Sequence, residues 1–257
     1  MKPPRLISME VSRGGRSDCY YRILANRCVK YVTIKAGALS AEALDDMPLD
    51  FQNILPLLPY YEDTWKSASV TRNPSSGQLE VAFSSADLPG VGITWHPRIV
   101  DSLDIQRTKR LTLLAQECKW KAYMEAETRI YQLLAGRGIA PEFLAHIHEA
   151  GRVIGFLLEK IPNGRNAEPP DLEICKTTLR RLHALGLVHG DCNKYNFIIC
   201  PDGHAVLIDF DHTEACTDPA LMEAEMASLE AQLAETTGRG GGLNPFGGGD
   251  SDEESGE

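Results

Sequence analysis

Over the first hundred residues, apolar and polar positions alternate in short runs bounded by turn residues, a pattern that predicts strands. CYYRIL and RCVKYVTIK flank Ala25-Asn26 and read as one hairpin, while SASVTR and QLEVAF flank the turn NPSSG and read as another. Between them, LDFQNILPLLPYYEDTW is apolar but broken by prolines, which suits a packed irregular connector. From Arg98 to Ala135 there is neither glycine nor proline. Leu114, Cys118, Ala122, Ala126, Ile130 and Leu133 recur there at helical spacing, and Gly136 and Gly138 supply the stop.

Beyond the helix, EFLAHIHEAG and RVIGFLLEKI predict two strands around a turn at Glu149–Gly151. A second helix follows Pro169-Pro170, with Asp171 placed to cap it, Leu172, Cys175, Leu179 and Leu182 on one face, and Gly186 as the stop. LVHGD, NFIIC and AVLIDFD are short strands, the last two joined by the turn PDGH. A final helix starts at Asp218-Pro219 and buries Met222, Met226, Leu229 and Leu233. The chain then passes through GRGGGLNPFGGG into DSDEESGE, which reads as a flexible linker and disordered tail over 238–257. Residues 1–100 thus form a β-rich region and 101–237 a mixed core, in an α+β chain.

Charge sharpens this division. The net charge of −10 over 257 residues is concentrated at one end, where Asp218–Glu257 holds ten acidic residues and one basic one. The remainder, with 25 basic against 26 acidic residues, has no basic face of the kind a nucleic-acid partner needs. The acidic tail is expected to be solvating or partner-binding, with Ser251 and Ser255 set among its carboxylates. No apolar run reaches membrane-spanning length and no signal-peptide pattern opens the chain, so no membrane partner is expected. Seven cysteines without a C-x-x-C pair point to a reducing, intracellular and cytoplasmic setting.

The candidate chemistry lies in VHGDCNKYNFIICPDGHAVLIDFDH. Asp191 and Asn196 bracket the loop entering the NFIIC strand, and Asp209 ends the strand antiparallel to it, so the three can converge at one edge of a small ribbon. Two carboxylates and an amide oxygen are hard ligands suited to Mg²⁺ alongside phosphate oxygens. A carboxylate left off the metal can orient a hydroxyl for in-line attack on phosphorus. His146 and His148 in H-I-H would share a strand face, but no third metal ligand accompanies them, and ordinary strand histidines are favoured. Cys192 reads as a small residue packed behind the loop.

His189-Gly190-Asp191 with Asn196, followed by Ile208-Asp209-Phe210, resembles the protein-kinase-like superfamily, in its aminoglycoside-phosphotransferase and RIO-type branches. Gly190 stands where regulated protein kinases carry arginine, and Asp211 where they carry the glycine of D-F-G. Wording such as FQNILPLLP, LPGVGITWHP, GIAPEFLAHI and HGDCNKYNFII looks like a group of fungal kinase-like proteins. The resemblance implies a two-lobed α+β fold with a shortened or atypical N-lobe and a truncated C-lobe. It implies ATP and Mg²⁺ as cofactors, Asp191 as the catalytic carboxylate, and Asn196 and Asp209 as metal ligands. Leu158, Glu159 and Ile161 would belong to the hinge that receives the adenine, and Glu127 would position a phosphate-binding lysine, with Glu125 the alternative glutamate and Lys119 the lysine named. No glycine-rich turn precedes Glu127, and Lys109, Lys119 and Lys121 are not in an evident strand. Two functions follow as expectations: an ATP- and Mg²⁺-dependent phosphotransferase acting on a hydroxyl of a protein or small molecule, or a pseudokinase that binds nucleotide or partners.

Overall fold

A computed structural model describes residues 3–12, 16–40, 42–44, 58–105 and 119–237, with the side chains of 119–123 left aside. The glycine-rich linker, the acidic tail with Ser251 and Ser255, most of the proline-broken connector and residues 106–118 of the long glycine-free stretch, with Lys109, Leu114 and Cys118, lie outside the described residues.

The alternating runs near the N-terminus form β1 (Arg5–Glu10), β2 (Cys19–Ala25), β3 (Cys28–Ile34), β4 (Ser67–Arg72) and β5 (Leu79–Ser84). They make one five-stranded sheet in sequence order, antiparallel except where β3 runs parallel to β4. The expected hairpins are both present. The first turns on Asn26-Arg27, one residue later than expected, because Ala25 pairs with Cys28 and Asn26 takes the left-handed φ of 56°. Tyr21, Ile23, Val32, Ile34, Trp65 and Val70 bury one face of this sheet. Lys30 is buried with them, its ammonium donating to the carbonyls of Glu62 and Trp65 at 2.6 Å each, so the charge is not left unsatisfied.

β6 (Ile99–Asp101), β7 (Phe143–Glu149) and β8 (Arg152–Leu158) form a second sheet, with β6 parallel to β7. The turn between β7 and β8 places Ala150 and Gly151 at φ 50° and 83°, the left-handed pair that matches the strand twist of a tight hairpin. The segment before β6 lies against β8, where Val91 N–H donates to Val153 O at 2.9 Å. Gly90 permits that approach, since a Cβ there would stand 2.8 Å from Arg152 Cβ. α1 (Lys119–Leu134) packs across this sheet and ends at the expected glycines. His146 is wholly buried and accepts the His96 N–H, a strand histidine in the core.

The two sheets meet at Glu149. Its carboxylate, 1 % exposed, takes the Arg22 guanidinium of β2, the Tyr31 hydroxyl of β3 and, at 2.7 Å, the Ser102 hydroxyl. The Arg152 guanidinium stacks on the Tyr31 ring at 4.7 Å. Burial would raise the Glu149 carboxyl, but these donors, led by Arg22, hold it below the usual range.

After β9 (Arg165–Asn166) come α2 (Leu172–His183), β10 (Leu187–Val188), β11 (Phe197–Ile199), β12 (Ala205–Leu207), β13 (Glu214–Ala215) and α3 (Pro219–Ala234). Asp171 precedes α2 but does not cap it through its side chain. The nearby Arg165 guanidinium takes that carboxylate in both arms, at 2.6 and 2.8 Å, and the Glu168 N–H takes it at 2.8 Å, so its acceptors are spent behind the helix start. Asp218 does cap α3, accepting Ala220 N–H at 2.9 Å. Leu179, Leu182, Phe197, Leu207, Leu229 and Leu233 join Tyr131 and Phe143 in one core beneath the hairpin of β11 and β12. No described helix is long and apolar enough to cross a membrane.

Candidate active site

The hairpin of β11 and β12 builds the site. Phe197 pairs with Leu207 and Ile199 with Ala205, and every residue of both strands is buried. Asn196 sits immediately before β11 and Asp209 two residues after β12, so antiparallel pairing brings them to the same end. Asn196 turns both amide hydrogens onto Asp191, to its carbonyl at 2.9 Å and its Oδ2 at 3.1 Å, leaving the amide oxygen as the acceptor end. Asn193, which the sequence did not single out, donates to the same Oδ2 at 3.0 Å and accepts Tyr195 N–H at 2.9 Å. Asp191 is therefore oriented through one oxygen, and the other stays available.

The loop around Asp191 is held from three sides. His189 is wholly buried; its Nε2 meets Ile208 O at 3.1 Å and its Nδ1 takes Asp191 N–H at 3.4 Å, the pattern of one neutral tautomer. Burial lowers the imidazole's proton affinity, consistent with that neutral form. Gly190 adopts φ +82°, and a Cβ there would stand 2.5 Å from His212 O. A side chain at this position, arginine included, would force the loops apart, which is a physical reason for the H-G-D wording.

Glu225 of α3 supplies the third support. One carboxylate oxygen accepts Gly190 N–H at 2.7 Å, and the other accepts His189 N–H at 3.2 Å and meets His183 Nε2 at 2.7 Å. These contacts hold its carboxyl below the usual range against the opposing effect of burial. Its signal in the sequence was a carboxylate on the apolar face of the last helix, between Met222 and Met226. Cys192 is buried behind the loop, and burial drives its thiol far up, leaving it inert.

Across from this loop Asp209 has φ +65°, a left-handed conformation uncommon outside glycine but tolerated by aspartate. Phe210 is wholly buried, edge-on to Tyr131 of α1 with centroids 5.2 Å apart, and 5.3 Å from the His189 ring. Asp211, known from the sequence only as a departure from D-F-G, joins the site: its carboxyl hydrogen-bonds that of Asp209. Partial enclosure, then Asp211 and Asp191, push the Asp209 carboxyl up to about 6.

Glu127 of α1 faces the same cluster and accepts Phe210 N–H. Burial, followed by the charges of Asp209 and Asp211, pushes its carboxyl up to about 8. His212 reaches Asp211 at 3.8 Å. Among the described side chains no lysine or arginine forms an ion pair with Asp191, Asp209, Asp211 or Glu127. Lys119 opens α1 itself, eight residues before Glu127 on the same helix, or about 12 Å along its axis. Glu125, the other glutamate considered, lies near Gly92, whose added Cβ would be 3.4 Å from its Oε1.

Leu158 ends β8 and packs on the main core. Glu159 N–H donates to Glu142 O at 2.8 Å, and Ile161 packs beside Ile198, Cys200 and Val206. Glu159 and Ile161 line a cavity of about 840 Å³ that none of Asp191, Asn196 and Asp209 lines. The structure thus brings Asp191, Asn196, Asp209 and Glu127 together and leaves Leu158, Glu159 and Ile161 in a separate stretch. Asp191, Asp209 and Asp211 with the Asn196 amide oxygen, which no lysine or arginine pairs among the described side chains, fit a hard divalent cation.

A family described as RIO1, RIO domain, matches residues 152–224, from the start of β8 into α3. No curated protein matches the chain. Two solved structures of WbdD show similarity. One is 20 % identical with a TM-score of 0.37, covering 51 % of this chain and 33 % of WbdD. The other, described as a bifunctional kinase-methyltransferase, is 21 % identical with a TM-score of 0.38, covering 50 % and 31 %. The chain spans about a third of the length of each. Residues 152–224, within the α+β order from β8 to α3, are similar to a RIO domain.

Proposed function

We propose that the chain is an ATP- and Mg²⁺-dependent phosphotransferase that moves the γ-phosphate to a hydroxyl of a protein or small molecule. The observation that carries this reading is that Asn196 and Asp209 flank one end of the β11–β12 hairpin, with Asp191 hydrogen-bonded to Asn196, Asp211 beside Asp209, and no lysine or arginine ion-paired to them among the described side chains. Asn196, Asp209 and Asp211 are the residues that would hold the cation, which would offset the charge of the phosphates. Asp191, fixed through Oδ2 by Asn193 and Asn196, accepts the hydrogen bond of the acceptor hydroxyl, orients it in line and takes its proton as the new O–P bond forms and ADP leaves. Leu158, Glu159 and Ile161 are the proposed adenine hinge.

Glu127 favours the second reading, a pseudokinase that binds nucleotide or partners. Among the described side chains no lysine pairs with it, and one such fixed phosphate-positioning donor is worth about 2.7–4 kcal/mol. The acidic segment from Asp218 would then serve as a partner-binding surface. The absence of a concentrated basic face supports a role apart from nucleic acid, and the six described cysteines, all free, support a reducing cytoplasmic setting.

A thermal-shift titration with ATP, with and without Mg²⁺, separates these readings. Ligand at ~100 Kd adds about 2.7 kcal/mol to the folded state, several degrees in Tm. The phosphotransferase reading expects a Mg²⁺-dependent shift that Asp209→Asn abolishes. A chain unmoved by millimolar ATP and Mg²⁺ is not that enzyme.

A further inference from the structure

At the other end of the same hairpin, the turn from Cys200 to His204 gathers three donors of different chemistry. The Cys200 sulfur, an Asp202 carboxylate oxygen and a His204 ring nitrogen all lie within 4.8 Å of one another. His204 Nδ1 is 2.5 Å from Asp202 Oδ1. The backbone fixes the turn: Cys200 N–H donates to His204 O at 2.8 Å, and Gly203 N–H to Cys200 O at 3.0 Å. Cys200 is a free, buried thiol with a weak contact to Ile198 O at 3.9 Å, whereas Asp202 and His204 face solvent. All three line the cavity of about 840 Å³, on whose wall Glu159 adds another carboxylate.

We propose that Cys200, Asp202 and His204 bind a borderline-soft divalent transition-metal ion of the zinc type, with its fourth position open to the cavity. Thiolate and imidazole select such an ion over Mg²⁺, whereas the oxygen-only set at Asp209 selects Mg²⁺, so the two ends of one hairpin take different metals. On binding, three metal–ligand bonds form and the thiol proton goes to solvent. Burial and the charges of Asp202 and Glu159 raise the Cys200 thiol, and a bound cation reverses that effect. Water from the cavity would take the fourth position. The ion would close the turn from which both strands run to Asn196 and Asp209.

The test uses the full chain stripped of metal by a chelator and titrated with Co²⁺, in the absence of nucleotide. The expected result is a thiolate-to-cobalt charge-transfer band that saturates at one equivalent, is lost in Cys200→Ser and His204→Ala, and persists in Asp209→Asn. Zn²⁺ should displace the cobalt and raise Tm in the wild type but not in His204→Ala, a surface substitution that leaves the core intact. No saturable band, or a band unchanged in His204→Ala, overturns the proposal. A band lost only in Asp209→Asn overturns it as well, by placing the metal at the other site.

Discussion

Replacing Glu225 by glutamine tests whether α3 holds the His189–Asp191 loop. The carboxylate accepts from Gly190 N–H, His189 N–H and His183 Nε2 at 2.7, 3.2 and 2.7 Å. Glutamine keeps one acceptor oxygen. Its amide group then faces one of two backbone N–H groups, donor against donor. One charge-assisted bond is lost and the partner N–H is left unmatched, while the remaining contacts weaken from charged to neutral. With charged hydrogen bonds at about 1.5–3 kcal/mol, neutral ones near 1, and partial rehydration of the exposed Gly190 N–H, the net loss is about 3 kcal/mol. Urea denaturation at neutral pH should show a lower midpoint at unchanged slope. The pH dependence gives a second readout. Because folding depresses the Glu225 carboxyl, its contribution is fully present above the ordinary glutamate value of 4.5 and is lost as pH falls through the lower folded value. The wild type should therefore lose more stability than Glu225→Gln on acidification below that value, and the two curves should converge. A loss under about 1 kcal/mol with parallel acid limbs would refute the anchoring role.

Gly190→Ala combines a left-handed φ with a clash at His212 O, so it should cost about 2–4 kcal/mol and abolish any Mg²⁺-dependent ATP shift; a neutral result in urea would contradict the tight approach. Glu149→Gln breaks the carboxylate that joins the N-terminal sheet to β7, leaves Arg22 largely enclosed, and should cost about 3 kcal/mol by urea midpoint. Its stabilising effect in the wild type should fade below the ordinary glutamate value of 4.5, since the folded carboxyl is depressed, and the variant should lack that fading. Asp209→Gly removes a left-handed side chain and a like charge from a solvent-open cluster, so stability should rise by up to about 1 kcal/mol after screening; a fall in Tm would argue against strain there.

Local patterning carried much of the fold. The alternation in β2 and β3, the turn at Gly151 and the three-residue ladder of β11 and β12 are all set by neighbours in the chain. What escaped was non-local. The parallel pairing of β3 with β4 merges two expected hairpins into one sheet, and no periodicity encodes which strand edges meet. β6 is three residues long and exists because β7 offers it an edge. Asp171 had the right identity and position for a cap, yet Arg165 outcompetes the helix amides. At the site, spacing alone placed Asp191, Asn196 and Asp209 on one end of a hairpin. The roles of Glu225, Asn193 and Asp211 depend on how α3 and the loop fold back, which residue types do not announce.

The aromatic contact between Phe210 and Tyr131 divides the site into a constant half and an adjustable half. Asn196 and Asp209 flank the paired residues of one ladder, so their separation is set by a few adjacent residues. Glu127 belongs to α1, which meets this end of the hairpin through the Tyr131 ring edge and the Phe210 N–H, with Ile130 and Leu134 packed in the core beneath. A modest slide or rotation of α1 would carry Glu127 out of the cluster while the ligand pair kept its geometry. Movement of this helix would therefore change which carboxylates face Asp209 while leaving the spacing of Asn196 and Asp209 unchanged.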